Sequence, residues 1–269
     1  MQTPDAPDAR SSDMADSPGR MILRRFRVEK ALGHGGMGEV LLAQDTLLNR
    51  RVALKRVRSA DGPGESRRHA ILKEARRASQ ISDHRIAAIY DVLDLDDDVL
   101  LVMEYVDGTT LRERMSTPVP LEEFWQLATQ CVAAVGVANA HGLIHRDIKP
   151  ENLMVTGDGQ IKILDFGIAK RADPLDGSIE SGTTAVTTTE TGSRVIAGTP
   201  QYMAPEAHYG GKIERCTDIF SLGTVFYELL TAQHPFAGPT YGSVLDRIMN
   251  STPQSITELN PAAGPDLSR

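Results

Sequence analysis

The sequence predicts an α+β fold in two lobes, a β-rich lobe first and a helix-rich lobe after it, with a cleft between them. Three observations predict it. Short apolar runs bounded by polar turns dominate as far as about Val106. One amphipathic segment interrupts them, with Ala70, Ile71 and Ala75 at helical spacing among Arg and Glu. After Gly108 long apolar-striped segments take over.

The elements follow in order. Residues 1 to about 20 are rich in Pro, Asp, Ser and Ala and read as a disordered tail. Patterned sequence begins near Met21, and a β-rich lobe is expected over about 21–105. Val52-Ala53-Leu54-Lys55 and Val99 to Met103 are its clearest strands. Ala60-Asp61-Gly62-Pro63-Gly64 breaks the chain ahead of the interrupting helix. The second lobe is expected over about 109–269. Leu121 to Ala140 carries a continuous apolar stripe with alanines and reads as one long helix. Val155 to Ile161 reads as a hairpin turning at Asp158-Gly159. Residues 171–197 are dense in Thr, Ser and Gly and read as a long flexible loop, and Thr217 to Ala232 as a further apolar helix.

Composition narrows the function. The chain has 269 residues, 41% hydrophobic and 24% charged, ordinary for a globular protein able to build a core. Its net charge of −7 argues against nucleic acid as the main partner, which needs a basic face. A nucleotide site survives this test, because it needs only a few local cations and backbone N–H groups. Cys131 and Cys216 fit no paired ligand spacing, so neither a disulfide framework nor a zinc site is expected; two free thiols suit a reducing cytoplasm. The N-terminus lacks the basic and apolar regions of a secretory signal, and no apolar run reaches the length of a membrane span. An anchor outside these residues stays open.

The motifs carry the chemistry. Gly33-His34-Gly35-Gly36-Met37-Gly38-Glu39-Val40 contains G-x-G-x-x-G-x-V. Glycines allow close backbone approach to phosphates, although a plain glycine turn would look the same. A dinucleotide fingerprint needs a following helix and an acid about 20 residues on; here Lys55 stands 22 positions after Gly33, which favours a flap over ATP. Lys55 inside an apolar strand needs a partner, and Glu74 on the next helix is the candidate. A snorkelling edge lysine and a solvated helical glutamate are the structural alternatives.

The strongest signal is His145-Arg146-Asp147-Ile148-Lys149-Pro150-Glu151-Asn152. Asp147 can accept or orient a hydroxyl proton, Lys149 can neutralise a phosphate in transit, and Asn152 can hold a metal ion. Asp165-Phe166-Gly167 follows an apolar strand, thirteen residues after Asn152. An Asp delivered to a cleft suits Mg²⁺, which prefers hard oxygen ligands. Gly198-Thr199-Pro200 to Pro205-Glu206 closes the Thr-rich stretch. Asp218 then precedes so apolar a run that it reads as buried and hydrogen-bonded, with an ordinary N-cap as the alternative.

Taken together, from about Arg25 to Leu259, these residues resemble the eukaryotic-type protein kinases, and among them the bacterial serine/threonine kinases. The resemblance implies a bilobal kinase fold that transfers the γ-phosphate of Mg-ATP, with Mn²⁺ as an alternative ion, to Ser or Thr hydroxyls of proteins. It implies ATP contacts from Leu32, Gly33, His34, Gly35, Gly36, Met37 and Gly38. Val40, Ala53 and Leu153 would sandwich the adenine, with Met103 behind it and backbone groups of Glu104 and Val106 along its edge. Lys55 would pair with Glu74 in the active state. Asp147, Lys149 and Asn152 would be catalytic, and Asn152 and Asp165 would bind metal. Asp218 would brace the catalytic loop.

Lys149 and Thr199 resemble the Ser/Thr-specific rather than the Tyr-specific pattern. Arg146 beside Asp147 implies control by loop phosphorylation, for which Thr189, Thr191 and Ser193 are favoured acceptors, with a dimer for phosphorylation in trans.

Two departures stand out. The family continues beyond Pro261 with helices carrying an arginine that pairs with the residue equivalent to Glu206, so the second lobe reads as lacking its last helices. Arg85 replaces a proline that often follows the position of His84, with little consequence expected. The rival readings are a catalytically silent scaffold with this fold and a small-molecule phosphotransferase of related fold.

Overall fold

The computed structural model describes residues 18–35, 38–58, 64–95, 98–166, 186–188, 194–196, 200–264 and 267. The first lobe is a six-stranded antiparallel sheet in the order β1-β2-β3-β4-β6-β5. Its strands are β1 (Met21–Ile22), β2 (Phe26–Gly35), β3 (Gly38–Asp45), β4 (Arg50–Arg58), β5 (Ile89–Asp94) and β6 (Asp98–Glu104). Helix α1 (Gly64–Ala78) lies between β4 and β5 in sequence.

Side-chain alternation builds two cores from one sheet. Leu100 and Val102 of β6 join Phe26, Val28, Leu41, Val52 and Leu54 on one face. Val99, Leu101 and Met103 turn to the other face and meet Ile71, Ala75 and Ala78 of α1. That second core runs on into the helical lobe, so the two lobes share apolar packing behind the cleft.

The second lobe begins with β7 (Gly108–Thr110) and α2 (Leu111–Arg114). Thr110 caps α2 in a capping box with Glu113. Helix α3 spans Leu121–Ala140, the predicted bounds. Glu122 and Glu123 favour its N-terminal dipole, and Phe124, Leu127, Cys131, Ala134, Val135 and Ala138 are buried at helical spacing. Strands β8 (Leu153–Thr156) and β9 (Ile161–Ile163) form the predicted hairpin, and Gly159 takes the left-handed turn at φ 79°. Helices α4 (Pro205–His208), α5 (Arg215–Thr231), α6 (Tyr241–Asn250) and α7 (Ile256–Leu259) follow, and a 3₁₀ turn over Pro261–Ala263 comes after them.

Several expectations shift. Backbone pairing is already present before Met21: Gly19 N donates to Val28 O at 2.8 Å and Val28 N to Arg20 O at 2.8 Å. The predicted flexible loop at 171–197 contains paired strands: β10 (Val186–Thr188) pairs antiparallel with β11 (Arg194–Ile196). Their β-branched residues favour extended backbone over coil. Thr189, Thr191, Ser193 and Thr199 lie outside the described residues. Helix α5 starts two residues earlier than Thr217, because Glu214 caps it in a reciprocal bond pair with Thr217. It ends at Thr231, where Ala232 turns left-handed at φ 54°. Cys131 is buried and Cys216 exposed, both free thiols, and burial pushes the Cys131 thiol up to about 12. Among the described residues no helix is long and apolar enough to cross a membrane.

Candidate active site

The glycine-rich segment folds as β2 and β3, with Gly33 opposite Val40, His34 opposite Glu39 and Gly35 opposite Gly38. Gly36 and Met37 lie outside the described residues. The described glycine-rich residues thus belong to paired strands and not to a strand followed by a helix. Lys55 on β4 faces Val40 of β3 on one side and Leu101 of β6 on the other. Ala53 sits opposite Met103, which is buried, and Leu153 is fully buried. Val106 is buried at the link between the lobes, while Leu32 is exposed. Glu104 ends β6, and its N–H donates to Ala88 O at 2.8 Å.

The Lys55–Glu74 pair expected of the active state is replaced in this structure by a different contact of Lys55. Lys55 Nζ stands 2.8 Å from Asp165 Oδ2. Glu74 is buried on α1, where Arg77 of the next turn lies 3.8 Å away. Lys55 thus meets the Asp165 carboxylate.

The catalytic-loop residues converge. Lys149 Nζ lies 3.2 Å from Asp147 Oδ2. Asn152 Nδ2 donates to Asp147 O at 2.7 Å and to Asp147 Oδ2 at 3.1 Å. Pro150 opens a 3₁₀ turn over Pro150–Asn152, where its missing N–H costs nothing. Below the loop, Asp218 Oδ2 accepts from His145 N at 2.8 Å and Oδ1 from Arg146 N at 2.9 Å. Asp218 sits inside α5, so the N-cap alternative falls: Glu214 is the cap. Arg146 takes φ 66°, a conformation this bidentate brace stabilises.

His145 is buried, and burial holds its imidazole below the usual range. Its Nε2 meets Leu164 O at 2.8 Å and its ring lies 4.7 Å from that of Phe166. A neutral ring suits this placement, with Nε2–H donating to the carbonyl.

Asp165 itself has φ 52°, and the segment before it is held residue by residue. Ile161 N donates to Gln130 Oε1 at 2.9 Å, Ile163 N to Arg85 O at 2.8 Å and Leu164 N to Asn152 O at 2.8 Å. The donor set for an ion is one carboxylate, Asp165, and one side-chain amide, Asn152, both hard oxygens. Among the described residues no group of three or more His, Cys, Asp or Glu is placed to hold a metal ion. Such a site fits Mg²⁺, which retains waters and substrate phosphates among its ligands.

Glu206 accepts from Thr217 Oγ1 at 2.5 Å. A sequence model of the protein kinase domain matches residues 26–265. This chain belongs to the protein kinase domain family. The chain is 34% identical over 246 residues to the serine/threonine-protein kinase PrkC of Bacillus subtilis, covering 91% of this chain and 36% of that protein. It is 34% identical over 226 residues to the serine/threonine-protein kinase PknB of Mycobacterium tuberculosis, covering 82% of this chain and 34% of that protein. The chain thus spans about a third of the length of these relatives.

Three residues that shape this kinase domain carry no motif. Gln130 reaches from α3 to Ile161 N and to Gly159 O at 3.2 Å. Arg85, expected to matter little, forks onto Asp83 with bonds of 2.8 and 2.7 Å, holding that carboxyl down at about 2, while its carbonyl holds β9. Arg112 joins Glu151 and Glu228, each at 2.8 Å, and bonds the buried Tyr202 hydroxyl. The side chains of Gln130 and Arg112 and the carbonyl of Arg85 find these partners far off in the chain.

Proposed function

We propose that this domain is a serine/threonine protein kinase that transfers the γ-phosphate of ATP, with Mg²⁺ or Mn²⁺, to hydroxyls of proteins. One observation carries the reading: Asp147 stands between Lys149 and Asn152 on a loop braced by Asp218, close in chain to the segment that delivers Asp165.

Gly33, Gly35 and Gly38 would cover the phosphates, and Val40, Ala53 and Leu153 would enclose the adenine. Asn152 and Asp165 would hold the divalent ion, which supplies charge neutralisation on the phosphates. Asp147 orients the substrate hydroxyl, whose oxygen bonds to the γ-phosphorus as the bond to the ADP oxygen breaks. The hydroxyl proton passes to Asp147 or to solvent. Lys149 offsets the charge spreading over the transferred group.

Arg146 would receive a phosphate placed on the loop, with Thr189, Thr191 and Ser193 as acceptors. A second copy would act in trans, and the cytoplasm, where ATP is supplied, is the compartment. Intact mass before and after incubation with Mg-ATP tests the reading, with Asp147→Asn beside it. Added phosphates in the wild type alone are expected. An unchanged mass in folded wild type, with no transfer to a protein substrate, refutes it.

A further inference from the structure

Two ion pairs of opposite polarity tie the first lobe's sheet to the segment that ends at Asp165. On the cleft side Lys55 of β4 meets Asp165 at 2.8 Å. Behind it Glu104 Oε1 of β6 meets Lys162 Nζ of β9 at 2.6 Å. Lys162 and Asp165 are three residues apart in one segment, and Lys55 and Glu104 sit on neighbouring strands. The second oxygen of Glu104 accepts from Ala88 N at 3.1 Å, so this carboxylate is fastened to the first lobe before it reaches β9. The side chains of Lys162 and Glu104 are only 17% and 23% exposed, which leaves the pair stronger than a surface contact.

The two pairs face different demands, on the kinase reading given above. Lys55 and Asp165 must both turn to phosphates and ion, so their mutual contact yields when nucleotide and metal bind. The side chains of Glu104 and Lys162 touch neither. The β9 backbone keeps its own bonds to Gln130, Arg85 and Ala87 whatever Lys162 does.

We propose that the Glu104 carboxylate and Lys162 are positioning residues: a permanent tie that keeps β9, and Asp165 beyond it, in register with the inter-lobe link while the Lys55–Asp165 contact opens. The pair acts on the ion through Asp165, as outer partners of metal ligands do.

The test is the free Mg²⁺ concentration that half-saturates ADP binding, followed by thermal shift and calorimetry, with adenosine binding as the metal-free control. In Lys162→Met the Mg²⁺ requirement should rise on the order of 10-fold, and adenosine affinity should stay within about 2-fold. Glu104→Gln should give the same rise, the double variant no more than either single one, and Lys162→Arg should restore the wild-type value. An unchanged Mg²⁺ requirement in folded Lys162→Met and Glu104→Gln overturns the proposal. So does a parallel loss of adenosine binding, which would assign the pair to the adenine pocket. Wild type that binds ADP without any Mg²⁺ dependence would instead fail the kinase reading itself.

Discussion

Asp218 accepts the backbone N–H groups of two consecutive residues, His145 at 2.8 Å and Arg146 at 2.9 Å, across 73 and 72 residues of chain. The carboxylate is 1% exposed, so water cannot replace either bond. It also holds Arg146 at φ 66°, which costs on the order of 1 kcal/mol for a non-glycine residue. The loop that presents Asp147 thus takes its shape from a residue in α5.

Asp218→Asn leaves one acceptor oxygen where two N–H groups arrive. One buried donor then goes unpaired, at a cost of about 1–3 kcal/mol. Urea denaturation should show this loss, and the phosphotransfer rate should fall with it as Asp147 loses its support. Equal midpoints for variant and wild type would contradict the brace.

Asp147→Asn and Lys55→Met should remove activity while keeping the fold. Asp147 is partly exposed and nearly isosteric with Asn, so packing survives. Lys55 loses one ion pair that is 15% and 26% exposed at its two ends. Each substitution removes one charge from the transfer site and should lower turnover on the order of 10²–10³-fold. Initial rates with a protein substrate, beside melting temperatures, check both; turnover near wild type in either variant refutes its assignment.

Local patterns were legible where spacing alone carries the information. The bounds of α3 follow from its apolar stripe and the β8–β9 hairpin from Asp158-Gly159. Partner choice was not legible. Glu74 and Asp165 are both acids that a lysine at position 55 could meet, and only the fold places Asp165 at 2.8 Å. Gln130, Arg85 and Arg112 look like ordinary surface residues until chain segments 31, 78 and 116 positions away arrive beside them. Hydrogen bonds over such separations leave no periodic trace in sequence.

Gly108 shows how close one such approach is. A Cβ at this position would stand 2.4 Å from Val155 O, in the β7–β8 ladder just after the inter-lobe link. Backbone atoms cannot yield as a side chain does, so Gly108→Ala must displace β7. The expected loss is about 1–3 kcal/mol, the usual cost of overpacking. A melting temperature equal to wild type would show that the ladder relaxes freely.

His234 should make stability fall as the solution is acidified. Its ring stands edge-on to Tyr202 at 4.8 Å, and Nδ1 accepts from Phe236 N at 3.0 Å. Burial lowers its pKa to about 4, Glu228 opposes that shift and the Arg112 cation adds to it. In the unfolded chain the ring titrates near its ordinary value of about 6.5. Between these two values the unfolded state binds the extra proton and the folded state does not. Stability is therefore whole above about pH 6.5 and is lost as pH falls toward 4, by at most about 1.4 kcal/mol per pH unit for one group. His145 and His208, also held down by burial, act in the same direction. His234→Asn keeps an acceptor for Phe236 N and removes the titration. It should be less stable at pH 7 through lost packing, yet show a flatter decline in urea midpoint from pH 6.5 to 4.5. The slope, and not the offset, is the readout: a slope unchanged from wild type would mean that His234 is not among the groups whose protonation opens the fold.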